Sequence, residues 1–284
     1  MYSVIDIGSN SVRLLCDGKK TIVTSQLSLG MKDGVLDDKS IERTVNAIEF
    51  LIKNTDTPIY AFATEAVRKA TNKQIFLDLV KSRCDLSIDV LSGEEEAKMS
   101  FVGATYGQNG KINVIDLGGA SCEIALGENG KIIRDVSLPF GCVTLTNRFG
   151  CNYSELSAFV RSNLVNAPSG GEKVIAVGGT ATSLAAVAQK LAKYDAKQTD
   201  GYFLSLDDID NAIEDMKNGK ISSVVDIKRS KVILQGAIAL RLVIAYLGFS
   251  GAYISERDNL EGYAIFKKLS LIHISEPTRR RGIS

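Results

Sequence analysis

VIDIGSNSVRLL, running from Val4 to Leu15, returns 110 residues later as VIDLGGASCEIA, from Val114 to Ala125, with Val, Ile, Asp, Gly and Ser kept at five of the twelve positions. Each copy reads as an apolar strand that ends on an acidic residue, Asp6 or Asp116, followed by a turn of small residues. A turn built from Gly and Ser lets backbone N–H groups close on an anion, because little side chain stands in the way. Gly8, Ser9, Asn10 and Ser11 make such a nest in the first copy, and Gly118, Gly119, Ala120 and Ser121 in the second. Asp6 and Asp116 stand where they can hold a hydrated Mg²⁺ against phosphate bound there, since Mg²⁺ takes oxygen ligands and keeps several waters, and Glu123 joins them from the next strand. Either turn alone reads equally well as a tight strand connection whose Asp makes a local hydrogen bond. The repetition argues instead for two like domains that face each other and clamp phosphate from both walls of one cleft.

Outward from these turns, strand and helix patterns alternate, which predicts an α/β architecture with helices covering the sheets. In the first half, Val4–Ile7 and Ile22–Leu29 read as strands, about 40–54 as a helix, Ile59–Ala63 as a strand, 72–83 as a helix and Ile88–Leu91 as a strand. The second half repeats strands first and helices after: Ile112–Leu117, Glu123–Leu126, an Asn129-Gly130 hairpin turn and Ile132–Val136. Helices follow near 154–164, 180–192, 207–217 and 230–247, with strands at Val174–Val177 and Ala252–Ser255. The expected division is 1–111 and 112–256, with a last helix at 257–269 returning to the first domain.

The chain has 284 residues, 45% apolar and 24% charged, with 34 Lys and Arg against 33 Asp and Glu. Its length predicts two domains. A net charge of +1 removes the electrostatic footprint of a general nucleic-acid binder. The most apolar stretch, 232–249, is interrupted by Gln235 and Arg241, so no membrane span is expected, and MYSVIDIGSN lacks the basic and apolar regions of an export signal, so the expected location is the cytoplasm. Five cysteines show no CxxC spacing and are assigned no chemistry. His273 is the sole histidine, which excludes His-based metal cages and Ser-His-Asp triads. Catalysis therefore rests on carboxylates.

Three further stretches carry candidate chemistry. Gly178, Gly179 and Thr180 lie between a strand and a helix, where the helix N-terminus can bind an anion or a nucleotide, or where glycine serves close strand-to-helix packing. Glu94, Glu95 and Glu96 open a helix after Ser92-Gly93. Acidic residues complement the dipole there, but three in a row exceed that need, and one aimed into the cleft can act as general base on a water. Arg68 follows a strand and can fork onto phosphate oxygens or form a surface salt bridge.

The ordered set Ile5-Asp6-Ile7-Gly8-Ser9-Asn10-Ser11, Ala63-Thr64-Glu65-Ala66-Val67-Arg68, Ser92-Gly93-Glu94-Glu95-Glu96-Ala97, Asp116-Leu117-Gly118-Gly119-Ala120-Ser121-Cys122-Glu123, Leu138-Pro139-Phe140-Gly141 and Gly178-Gly179-Thr180-Ala181-Thr182 resembles the exopolyphosphatase and guanosine pentaphosphate phosphohydrolase (Ppx/GppA) family of the actin-like superfamily. The resemblance runs from about 3 to 267. It implies two actin-like, ribonuclease H-like domains with mixed sheets around an interdomain cleft, and Mg²⁺-dependent removal of a terminal phosphate, Mn²⁺ being the alternative ion. It implies inorganic polyphosphate or guanosine pentaphosphate as substrate, a homodimer as the assembly, and Glu96 as the catalytic carboxylate.

Two departures bear on that expectation. The family's second turn usually reads Gly-Gly-Gly-Ser, so the methyl of Ala120 is expected to cost some activity. Longer members add a helical region resembling His-Asp phosphohydrolases, and the expectation here is the short, two-domain form. Ser270–Ser284, with Pro277 and three consecutive arginines, breaks the pattern; it resembles translated sequencing-adapter read-through and is read as non-native, the alternative being a disordered basic tail. The leading expectation is an exopolyphosphatase-type hydrolase. Its rivals are a guanosine pentaphosphate 5'-phosphohydrolase, a non-hydrolytic nucleotide-binding actin-like protein, and a kinase of the same superfamily.

Overall fold

The structure, a computed structural model, describes the backbone of residues 2–275 apart from Gly30 and Lys228. Residues 276–284, most of the stretch read as a tail, lie outside the described residues. The first half opens with a three-strand meander, β1 (Ser3–Ile7), β2 (Ser11–Cys16) and β3 (Lys19–Thr24). Asp17 and Gly18, with φ of 50° and 73°, supply the left-handed pair that a two-residue hairpin turn requires. The strand expected over Ile22–Leu29 therefore begins earlier and stops at Thr24. Gln26 turns left-handed at φ 54°, and residues 25–28 leave the sheet to bond the first turn instead. Helix α1 (Asp38–Ile52) leads to β4 (Ile59–Ala63), a short α2 (Glu65–Lys69), α3 (Lys73–Cys84) and β5 (Ile88–Val90), and α4 (Gly93–Thr105) ends the half. The sheet order is β3-β2-β1-β4-β5, with β4 parallel to β1 and β5 parallel to β4.

The second half repeats the plan with β6 (Lys111–Leu117), β7 (Cys122–Glu128) and β8 (Lys131–Leu138), the last two joined at Asn129-Gly130 with φ of 50° and 78°. Then come α5 (Cys142–Phe149), α6 (Tyr153–Asn163), β9 (Lys173–Val177), α7 (Gly178–Ala188), α8 (Ala196–Thr199), β10 (Phe203–Ser205), α9 (Leu206–Lys217), α10 (Ile233–Tyr246), β11 (Gly251–Ile254) and α11 (Asn259–Ser275). Its sheet order, β8-β7-β6-β9-β11-β10, matches the first with one added antiparallel edge strand. Two sheets of this order, each with a meander followed by parallel strands under helices, make the ribonuclease H-like, actin-like α/β fold. The expected helix at 230–247 is split, because Val232 leaves helical φ at −128° between a 3-10 turn over Arg229–Lys231 and α10. Elements α2, α5, α8 and β10 are too short for periodicity to reveal.

Each half buries its own apolar core, around Ile5, Val45, Phe76 and Val80 in one and Ile124, Leu184, Ala239 and Val243 in the other. Helix α4, within 1–111, buries Phe101 and Ala104 against Ile112, Val114 and Val177 of the second sheet. Helix α11 crosses α4 and also touches β1 and β2, continuing past Leu269 through Ser275. The crossing is close: a Cβ built on Gly262 would lie 1.8 Å from the Met99 carbonyl oxygen, and one on Gly103 2.0 Å from that of Asp258. Gly262→Ala should therefore destabilise the protein by roughly 1–3 kcal/mol despite alanine's better helix propensity. A melting temperature unchanged or raised in that variant would show that the helices can part. No helix among the described residues is long and apolar enough to cross a membrane.

Candidate active site

The two glycine turns have the same backbone. Gly8 N–H donates to the Ser11 carbonyl at 3.0 Å, and Gly118 N–H to the Ser121 carbonyl at 3.0 Å. In each turn the carbonyls are held from behind. The amides of Ser25 and Gln26 donate to Asn10 O, and that of Ser28 to Ser9 O, at 2.9–3.1 Å. In the second turn the first amides of α5 do this: Cys142 N–H donates to Gly118 O at 3.0 Å and Val143 N–H to Gly119 O at 2.8 Å. With their carbonyls tied back, the turns present donors. No hydrogen bond among the described residues uses the amide of Ser9, Asn10, Gly119 or Ala120. Four unpaired amides in two like turns are free to donate to an acceptor supplied from outside. The turns also touch each other: a Cβ on Gly119 would lie 2.8 Å from Ser9 Cβ. Gly141, which starts α5, has no room for a side chain, since its Cβ would fall 2.5 Å from Ala120 N and 2.6 Å from Gly118 O. That explains why Leu138-Pro139-Phe140-Gly141 accompanies the second turn.

Beneath the turns lie carboxylates. The register sets Asp6 opposite Arg13 and Asp116 opposite Glu123, so the duplication places an arginine in one half where the other has a glutamate. Asp6 Oδ2 accepts from Arg13 Nε at 2.8 Å, and burial raises its pKa although Arg13 opposes the shift. The Arg13 guanidinium also pairs with Asp258 and donates to Asn259 at the head of α11. Asp116 Oδ2 accepts from Ser100, and Glu123 Oε1 accepts from Ser137 at 2.7 Å. Burial first, then the charge of Asp258, pushes Asp116 up to about 6. Burial and the neighbouring Asp116 push Glu123 up to about 8. Asp6 Oδ1 and Glu123 Oε2 are buried with no partner.

Glu96, 6% exposed, extends from the first turn of α4, which Ser92 and Glu95 close with a reciprocal capping box. Of the three glutamates, Glu94 and Glu95 face solvent and only Glu96 turns inward. Burial, and next the charge of Glu123, hold its carboxyl well above the usual range, with Arg68 pulling the other way. Arg68 Nη1 donates to Glu96 Oε2 at 3.0 Å. The guanidinium expected to fork onto phosphate thus lies on carboxylates, in a partly buried pair and not a surface one. Gly178 opens α7 against Asp116, its Cβ position 3.2 Å from Oδ1, so the third turn joins the same site. Thr180 is buried beside Gly236 of α10, and the Gly179 carbonyl accepts from Arg229 at 2.6 Å.

Residues 4–268 match the model of the Ppx/GppA phosphatase family. The chain belongs to this family. The bifunctional 3-dehydroquinate synthase/phosphatase of Fusobacterium nucleatum is 31% identical over 91% of this chain and 45% of its own length. A guanosine-5'-triphosphate,3'-diphosphate pyrophosphatase of Pseudoalteromonas atlantica is 35% identical over 52% of this chain and 33% of its own. The Ppx/GppA chain thus spans less than half the length of these curated relatives. Among solved structures, the Aquifex aeolicus Ppx/GppA family member superposes with a TM-score of 0.77 at 27% identity, covering 95% of this chain and 98% of that one. An exopolyphosphatase-like protein reaches 0.88 at 23% identity, covering 95% and 99%, a likeness of fold.

In this Ppx/GppA chain Ala120 does not sit at positive φ, so its methyl strains no backbone. Arg13, Glu65, Ser100, Ser137 and Arg229 all touch site residues and were not singled out from sequence. The offset of 110 held a signal for Arg13, as the counterpart of Glu123. Glu65 stood in the motif quoted with Arg68, whereas Ser100, Ser137 and Arg229 carried no signal, because a serine or arginine far along the chain looks like any surface residue until the fold brings it in.

Proposed function

We propose that this chain is an exopolyphosphatase-type phosphohydrolase that releases terminal orthophosphate from inorganic polyphosphate. The observation that carries the reading is the pair of glycine turns closed by the same hydrogen bond and leaving amides unpaired, set above the buried carboxylates Asp6, Asp116, Glu123 and Glu96. Phosphate oxygens would rest on the amides of Ser9, Asn10, Gly119 and Ala120, with the N-terminus of α7 at Gly178, Gly179 and Thr180 as a third donor edge. Phosphoryl transfer needs positioning and neutralised charge more than covalent help, which suits a site made of turns.

The same residues fit Mg²⁺. Among the described residues no three Asp, Glu, Cys or His side chains group as a metal cage, whereas Mg²⁺ commonly binds through one or two carboxylates and completes its shell with water and substrate oxygens. Asp116 and Glu123 would hold it, and the unpartnered Glu123 Oε2 is the acceptor an ion would satisfy; Asp6, held by Arg13, does not group with them as a third ligand. When bound, the ion neutralises charge on the phosphate being lost. Glu96 acts as base: its Oε1 takes no hydrogen bond and is not sealed from solvent, and its raised affinity for a proton suits removing one from water. Guanosine pentaphosphate is the second reading, favoured by the name of the relative at 35% identity.

Orthophosphate release from long polyphosphate, short polyphosphate and guanosine pentaphosphate, each with Mg²⁺, Mn²⁺ or EDTA, tests both readings. Metal-dependent release fastest from polyphosphate is expected. Faster release from the nucleotide would favour the second reading, and none from any substrate by folded protein would leave a binding or kinase role.

A further inference from the structure

Glu65 has no part in the chemistry above, yet its carboxylate is only 5% exposed. A carboxylate taken from water needs close compensating charge, and α2 supplies it from Arg68 and Lys69, three and four residues on. The consequence falls on Arg68. Its Nη2 donates to Glu65, while Nη1 donates to the Leu91 carbonyl at 2.6 Å and to Glu96 Oε2 at 3.0 Å. An arginine meeting a lone carboxylate favours two parallel bonds, one to each oxygen. Here it gives Glu96 a single bond, because its other terminal nitrogen is taken from the far side. Glu96 Oε1 is thereby left without a protein partner.

We propose that Glu65 is a positioning residue: by holding Arg68 Nη2 it keeps Arg68 on one oxygen of Glu96 and leaves Oε1 to receive the attacking water. The proposal rests on Glu96 as the base. Without Glu65 the guanidinium swings to span both oxygens, and the base is occupied by its own neighbour. Substrate binding, which uses the turns, is left alone.

The test is a double-mutant cycle on the full chain, reading orthophosphate release from whichever of polyphosphate and guanosine pentaphosphate is turned over faster. Glu65→Leu, which keeps the bulk but removes the acceptor, should lower kcat about 10- to 100-fold, as misplacement of a reacting group does, with KM little changed. In an Arg68→Ala background the same substitution should change kcat by less than about twofold, since its effect passes through Arg68. A parent-like kcat for Glu65→Leu, or an equal loss in both backgrounds, overturns the proposal. If circular dichroism shows Glu65→Leu unfolded, Glu65→Asp, one methylene too short for the same reach, replaces it in the cycle with the same expected signs. Glu96→Gln is run alongside. An active Glu96→Gln brings down the base assignment and this proposal together, whereas an inactive one beside a parent-like Glu65→Leu brings down this proposal alone.

Discussion

Glu96→Gln should lower kcat for orthophosphate release by about 10²- to 10⁴-fold, the usual share of a general base, while KM stays within about twofold. The amide matches the carboxylate in shape and can still accept from Arg68 Nη1 through its oxygen, so the ion pair becomes a hydrogen bond and α4 keeps its place. What disappears is the capacity to take a proton. Because burial and Glu123 repulsion raise the Glu96 pKa, losing its charge should not weaken the fold, and thermal melts of the variant should match or exceed the parent. Hydrolysis at the parental rate would remove Glu96 from the mechanism. A large rise in KM with kcat intact would make it a substrate ligand instead.

Glu123→Gln should separate activity from stability in opposite directions. Metal-dependent kcat/KM is expected to fall at least about 10²-fold, since a bound dication is worth several kcal/mol of transition-state charge. The metal-free protein should become more stable. Burial raises both carboxylates, Glu123 to about 8 with repulsion from Asp116 and Asp116 to about 6 with repulsion from Asp258, so the folded state binds these protons more tightly than the unfolded chain, whose carboxylates titrate near about 4. The sign follows by linkage: protons favour folding, and in EDTA stability declines as pH rises from the unfolded carboxylate range through about 8. Melting curves in EDTA from acid to mildly alkaline pH should show that decline in the parent and a shallower one in Glu123→Gln. Added Mg²⁺ should offset it in the parent only. A parent whose melting temperature in EDTA is flat or rises over that range would contradict the buried, repelled pair.

The legible part of the fold was the part that local chemistry writes down. Apolar runs ending at Gly8, Gly118 and Gly178, and the Asn129-Gly130 hairpin, declare strands and turns within a few residues, and the offset of 110 declares that the plan is used twice. The small-residue turns, and one inward carboxylate among Glu94-Glu95-Glu96, could be proposed for the same reason, since a nest or a first helical turn is a property of neighbours in the chain; that the inward one is Glu96 came from the family resemblance.

What sequence alone determined, then, was the α/β class, the duplication and the small-residue turns proposed to hold phosphate. Tertiary structure decided how those residues are charged and held. Arg13 meets Asp258 across a separation of 245 residues, Arg68 meets Glu96 across 28, and the amides of α5 tie back carbonyls of a turn over twenty residues earlier. None of these pairings is preferred locally. Each exists because two sheets and a crossing pair of helices remove the groups from water together, and a charge or amide deprived of water takes the partner the fold has placed beside it.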